Sequence, residues 1–301
     1  MNTFLLSTAA FDFGEFLHEV VLHGFLDTLK IAAFLFLAYL FMEFIEHKAS
    51  DKLERAIGKA GAFGPLIGAS LGALPQCGFS AVAANFYTGG IVSMGALVAV
   101  FLSTSDEMIA IMISGKVSAG AIFAIIGYKL FVGIIVGFAV DFALSLMRVK
   151  KREIDIDSIC ENDNCHCERG IFFSALHHTL TVGSFVLLIS LLLNGAVYAI
   201  GEERLADILY AGPFVGHLIS ALLGLVPNCA ISVLLTTLCV DGYITAGMMM
   251  SGLFSGAGVG LLVLFRVNKN IKENLAVTAI IFVSGLVFGL LADAIGFSAL
   301  I

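Results

Sequence analysis

The sequence has no tryptophan, only 4 prolines and little charge, 13% of its 301 residues. Such scarcity of ionised side chains beside 59% hydrophobic residues and a mean hydropathy of +1.01 excludes an ordinary soluble domain. Basic residues are fewer than acidic ones, 16 Lys and Arg against 23 Asp and Glu for a formal charge of -7, and they form no patch that would draw in nucleic acid. The opening MNTFLLSTAAFDFGE lacks the basic n-region of a cleavable signal peptide. No G-x4-G-K-[ST] loop and no H-E-x-x-H pair occurs, which removes the usual signatures of ATP hydrolysis and of a membrane-embedded zinc hydrolase. What the chain does have is long apolar runs, and these read as an all-α polytopic membrane protein whose first partner is the lipid bilayer.

One such run holds Gly72-Ala73-Leu74-Pro75-Gln76-Cys77-Gly78-Phe79, with a proline, an amide, a thiol and two glycines at its middle. The motif recurs as Gly224-Leu225-Val226-Pro227-Asn228-Cys229. At the same constant offset Ser80 meets Ser232, Gly90 meets Gly242, Gly95 meets Gly247 and Ser103 meets Ser255. Further on, Gly133, Gly137 and Asp141 meet Gly285, Gly289 and Asp293. A gap of about one helical turn upstream then pairs Gly64-Pro65 with Gly212-Pro213, so all 4 prolines fall into equivalent pairs. The chain therefore reads as two homologous units, 1–147 and 171–301, joined by a polar linker, 148–170.

The first unit has apolar stretches at 25–46, 62–88, 91–113 and 118–147, and the second at 171–200, 211–240, 243–265 and 274–298. A span needs about 20 helical residues, so the second stretch of each half, broken at its centre, is either a broken span or a re-entrant hairpin. Positive charge decides the topology. Lys48, Lys52, Arg55 and Lys59, the linker residues Arg148, Lys150, Lys151, Arg152 and Arg169, and Arg266, Lys269 and Lys272 mark three cytoplasmic segments. The amino terminus up to Leu29 and the carboxyl tail carry no Lys or Arg. Six spans plus two re-entrant hairpins, with both termini outside, satisfy this pattern. Each half then has an odd number of crossings, so the repeats are inverted, and counting hairpin arms separately gives about ten helical pieces.

Irregular backbone at membrane depth is tolerated where it is buried or lines a wet cavity, and in inverted-repeat transporters such breaks meet at the substrate site. Pro75 frees a carbonyl, Gly78 lets the chain turn, and Gln76 and Cys77 stand at the tip. Pro227, Asn228 and Cys229 repeat the device. The stretches DTLK (27–30), LFLAYLFMEFIEHK (35–48), GPLIGASLGALPQCGFSAVAANFYTGG (64–90), AVFLSTSDEM (99–108), GLVPNCAISVLLTTL (224–238) and SGLFSGAGVGLLVLFRVNKNIKENL (251–275) carry a resemblance. The chain resembles the ten-helix heavy-metal exporters, related to the arsenic and organoarsenical efflux permeases and also labelled manganese transporters. The resemblance covers nearly the whole chain. It implies a plasma-membrane permease, not an enzyme, whose metal or metalloid ion is cargo rather than cofactor. The family's linker is usually richer in Cys and His than CENDNCHCERG here.

Cys77 and Cys229 are symmetry mates that inverted repeats would bring face to face. Thiolates select soft ions such as arsenite, zinc or copper(I), whereas manganese prefers oxygen; a small buried hydrophobe is the competing reading. Gln76, Asn228, Asn85, Ser80 and its mate Ser232 offer neutral oxygens nearby. Asp106 and Glu107 lie midway along the third stretch, where the second copy has Gly258 and Val259. An intramembrane carboxylate reads as functional by default: a cation ligand or a proton carrier, with a salt bridge to Lys129 as the alternative. The Ser103-Thr104-Ser105 run and the equivalent Ser251–Gly260 segment are expected to pack against, or break beside, a hairpin tip. Asp141 and Asp293 read as interfacial, and Cys239 as packing. His23, His177-His178 and His217 read as interfacial histidines or a site of metal uptake or release. The linker set Cys160, Cys165, His166 and Cys167 has enough ligands for one tetrahedral zinc or a trivalent arsenic, set against a plain polar linker.

The sequence thus points to a secondary transporter with its site at the two breaks. An anion transporter using half-helix amino termini, a manganese exporter and a channel are the other readings. The GxxxG steps at 133–137 and 285–289 permit close helix contact within one protomer or in a homo-oligomer.

Overall fold

The computed structural model describes residues 63–73, 78–104, 108–147, 212–227 and 229–299, together with helical residues within 29–40 and 172–191. Among the described residues the elements are α1 (Gly64–Gly72), α2 (Gly78–Thr88), α3 (Met94–Ser103), α4 (Met108–Ser114) and α5 (Ala119–Leu146) in the first half. The second half has α6 (Pro213–Gly224), α7 (Cys229–Val240), α8 (Ala246–Ser255), α9 (Val259–Val267) and α10 (Ile271–Ile295), followed by a 3₁₀ turn, Phe297–Ala299. The order repeats element for element. The protein is an all-α polytopic membrane protein.

Local chemistry sets where these helices start. Pro65 and Pro213 sit in the first turns of α1 and α6, where no amide partner is lost. Ser93, Ser118 and Thr245 cap α3, α5 and α8, each accepting from the amide three residues on, Ala96, Ala121 and Met248. The α5 and α10 helices, 28 and 25 residues long, reach about 42 and 37 Å at helical rise, enough to cross a bilayer.

The third apolar stretch of each half is long and apolar enough to cross a membrane, as counted from sequence, but it is two helices rather than one. In the first half, Ser103 Oγ donates to Ala99 O at 2.8 Å and Thr104 Oγ1 to Val100 O at 2.7 Å. Such bonds back onto the preceding turn bend helices, and the backbone leaves α3 at Thr104 with ψ 127. In the second half the chain passes through Gly258 at φ 52, the left-handed region that glycine enters freely.

Burial orders the layers. Taken through their breaks, Met94–Ser114 and Ala246–Val267 are 73% and 83% buried, whereas α5 and α10 are 44% and 33% buried. The broken helices therefore form the centre, and the long helices present Phe123, Phe131, Phe142, Val283 and Ile295 outward as a lipid-facing surface. Each half packs α3 on α5, or α8 on α10, with α1 and α6 against α3 and α8. Across the halves, α2 packs on α9 and α7 on α4. Tyr128 Oη of α5 donates to Phe288 O of α10 at 2.8 Å, and Tyr87 Oη of α2 to Glu273 Oε2 at 2.9 Å.

The GxxxG steps are used within the chain. A Cβ added at Gly137 would lie 2.7 Å from Gly95 O of α3, and one at Gly285 would lie 2.7 Å from Ser251 O of α8. Asp141 and Asp293, near the ends of their helices as expected, also tie these helices together: Asp141 accepts from Gly95 N at 2.9 Å and Ser93 Oγ at 2.7 Å. Asp293 accepts from Gly247 N at 2.7 Å and from Thr245 Oγ1. A carboxylate on amides at a helix start satisfies orphan donors and the positive end of the dipole together.

Candidate functional site

The helix breaks are neighbours. Gly72, the last residue of α1, packs so closely on Ser103 and Val100 at the end of α3 that a Cβ there would meet Ser103 Oγ. Gly224, the last residue of α6, sits in the same way on Gly252 of α8. From the other side, Ser80 in the first turn of α2 touches Gly260 in the first turn of α9, where a Cβ would also lie 2.8 Å from the Phe101 ring of α3. The ends of α1 and α3 and the starts of α2 and α9 therefore adjoin, and α7 takes the corresponding place against α4. The hydroxyl-rich and glycine-rich segments do break, beside the ends of α1 and α6.

Of the residues singled out in the sequence, Ser80, Asn85 and Ser103 are fully buried, and Thr104 is nearly so. Asn85 lies further along α2 and donates from Nδ2 to Ala81 O at 3.0 Å. Ser232 is half-buried in α7, where its carbonyl accepts from Thr236 Oγ1 at 2.7 Å. Pro227 is half-buried at the second break, and Cys229 is the residue at which α7 begins. Pro75, Gln76, Cys77, Asp106, Glu107 and Asn228 lie outside the described residues, as do the linker's Cys160, Cys165, His166 and Cys167. Among the described residues no three or more His, Cys, Asp or Glu side chains cluster as a metal site. Cys239 is buried in the core, as packing requires.

Two polar groups stand out more than the sequence suggested. Lys129 of α5 is fully buried, and its Nζ lies 3.3 Å from Leu253 O in the last turn of α8 and 5.8 Å from the Phe254 ring centroid. A buried ammonium on the terminal carbonyls of a helix is favoured by the negative end of the dipole, and here it reaches across the halves to the edge of a break. His217 of α6, also buried, places Nε2 3.2 Å from Asp293 Oδ2 and Nδ1 2.9 Å from Ser251 Oγ. A signal for this network was present in the sequence. The extra turn between the two proline pairs lengthens α6 at its start, so that at the constant offset His217 takes the place of Pro65.

The model of one protein family, described as "Putative, 10TM heavy-metal exporter", matches residues 14–200, more than half of the chain. The chain belongs to this family. No curated protein and no solved structure matches it. As a member of a heavy-metal exporter family, it is a multi-pass membrane transporter that works on a small substrate. The match spans the first half, the linker and the first apolar stretch of the second half.

Proposed function

We propose that this exporter is a secondary-active permease that carries a heavy metal or metalloid of the arsenic type across the plasma membrane by alternating access. Its substrate site lies at the Pro75-Gln76-Cys77 and Pro227-Asn228-Cys229 breaks. The observation that supports this most is the meeting of the helix ends that flank these breaks, with Gly72 on Ser103 and Ser80 on Gly260. Cys77 and Cys229 supply soft thiolate ligands; Gln76, Asn228, Ser80, Asn85, Ser103, Thr104 and Ser232 supply neutral oxygens around them. Asp106, with Glu107 beside it, gives negative charge to the cargo or carries a coupling proton. The linker's Cys160, Cys165, His166 and Cys167 capture cytoplasmic metal ahead of transport. The two halves are inverted repeats with both termini outside, which is the arrangement alternating access uses.

A second reading, transport of an anion, is favoured by one observation, the buried Lys129 ammonium beside the end of α8. Manganese export at the same breaks would instead use oxygen donors and no thiol. Reconstitution into liposomes separates the three. Uptake of arsenite, methylarsenite, zinc, manganese and a set of organic anions is measured for wild type, Cys77→Ala and Cys229→Ala. Flux of a thiophilic species that vanishes in both variants supports the soft-metal exporter; manganese or anion flux indifferent to both thiols overturns it.

A further inference from the structure

We propose that His217, paired with Asp293 and Ser251, is a proton-binding site that couples proton movement to transport through the second half of the exporter. The proposal rests on the secondary-active reading above and adds to it a site on the opposite repeat from Asp106. Three helices build it. The imidazole of α6 is 2% exposed and is held between a carboxylate of α10, 3.2 Å from Nε2, and a hydroxyl of α8, 2.9 Å from Nδ1. Asp293 is 24% exposed and accepts from Ser298 Oγ at 2.9 Å as well as from Thr245 and Gly247. The carboxylate is thus the more exposed end of a polar line and the ring its buried interior.

The line continues toward the break. Ser255, one turn beyond Ser251 on α8, donates from Oγ to Ser251 O at 3.0 Å and is the last residue before Gly256. On α6, Ser220 lies one turn beyond His217 on the same face and is fully buried, and its Oγ has no hydrogen-bond partner among the described residues. A buried orphan hydroxyl is costly, and its place between the histidine and the break is where a relay needs a donor and acceptor. At the same offset the first half has Pro65, Gly68 and Ala99 opposite His217, Ser220 and Ser251. The helix pairing is conserved between the halves while the polar line exists in one of them, so the fold does not require it.

The constellation is not arranged as a hydrolase triad. There Nδ1 faces the carboxylate and Nε2 the nucleophile; here the nitrogens are exchanged, and Ser251 is fully buried against Gly289. With Nε2–H donating to Asp293, the neutral ring accepts from Ser251 at Nδ1. Loading is the addition of one proton at Nδ1, with the Ser251 hydroxyl turning to accept. The imidazolium is balanced by the Asp293 carboxylate, and release returns both groups to their starting state. Asp293 is the charged group facing the ring from α10 and Ser251 the hydroxyl from α8, while Thr245, the cap of α8, bonds the carboxylate, and the buried Cys239 thiol of α7 lies within electrostatic reach of that carboxylate.

The full chain, labelled with ¹⁵N-histidine in lipid nanodiscs, tests the site without any cargo. The His217 signal is assigned by its loss in His217→Gln, a variant that keeps a donor for Asp293. The ring is expected to take up a proton within the pH window in which the exporter is active, and Asp293→Asn to move the midpoint to lower pH. A ring that stays neutral across that window, or a midpoint unmoved in Asp293→Asn, overturns the site. Proteoliposomes then test coupling with zinc and methylarsenite as probes. His217→Gln is expected to lose at least about tenfold in pH-gradient-driven flux and to retain exchange of preloaded cargo without a gradient; equal loss in both modes overturns coupling. A ring that titrates as expected in a wild-type chain that moves neither probe sinks the soft-metal cargo and supports the proton site. Thiol-dependent flux with a ring that stays neutral does the reverse.

Discussion

Asp141 and Asp293 occupy the same place in the two halves and make the same bonds, to Gly95 and Ser93 in one and to Gly247 and Thr245 in the other. One turn away the halves part. Asp293 also meets His217, whereas the residue at that offset from His217 is Pro65, whose Cβ packs against Gly137. Lys129, fully buried at the end of α8, has Ile281, also fully buried, as its mate. Duplication has preserved the frame, in which carboxylates, caps and small-residue contacts hold broken helices to straight ones. Ionisable chemistry was then placed asymmetrically on it, with Lys129, Asp106 and Glu107 in the first half and the histidine relay in the second. Binding a charged or soft ion between two copies requires no symmetry of charge, but close packing requires symmetry of shape.

The comparison breaks most severely at the cysteines. If the two breaks act as one site, Cys77→Ala and Cys229→Ala will each lower soft-metal flux by about a hundredfold or more, roughly 2.7 kcal/mol. A large loss in one variant alone, in the same liposome assay, would show that the halves do not share the ligand.

Next comes the unmatched cation. Lys129→Met keeps the length of the side chain and removes the charge, and at matched expression transport should fall about tenfold. Adding the mate's charge by Ile281→Lys should not restore it. Wild-type flux in Lys129→Met at unchanged expression would reduce the lysine to packing.

The helix contacts should respond alike in both halves. Gly137→Ala and Gly289→Ala place a Cβ 2.7 Å from Gly95 O and 2.8 Å from Gly247 O, and overpacking of this kind costs about 1–3 kcal/mol. Thermal aggregation in detergent should fall to lower temperature in both, while Gly127→Ala, which meets no atom within 4 Å, should be neutral or slightly stabilising. Unequal shifts of the two would show that one half carries the fold. The smallest effects belong to the caps: Ser93→Ala and Thr245→Ala should each cost about 1 kcal/mol, read as equal small drops in the same melt.

Much of this was legible in the residues. The hydropathy marked the membrane class, the repeated Pro-Gln-Cys and Pro-Asn-Cys motifs marked breaks, and the paired glycines and aspartates marked equivalent helices. The third stretches were harder. Their hydropathy is continuous through Thr104 and through Gly256–Gly258, and the breaks depend on hydroxyl bonds and a positive φ that a hydropathy pattern does not register. Asp141 and Asp293 were placed near span ends, but their role as caps on a neighbouring helix was not readable from their own helices.

By itself the sequence determined that two copies of one helical plan lie in a bilayer and that each is broken at its Pro-Gln-Cys or Pro-Asn-Cys motif, because composition, proline and glycine act locally along the chain. Tertiary structure decided that α2 packs on α9 and α7 on α4, that Lys129 of one half reaches Leu253 of the other, and that His217 meets Asp293. Those pairings join residues 76 or more positions apart. They follow from which helix faces fit closely enough to exclude lipid, a property of shape in three dimensions that no local pattern contains.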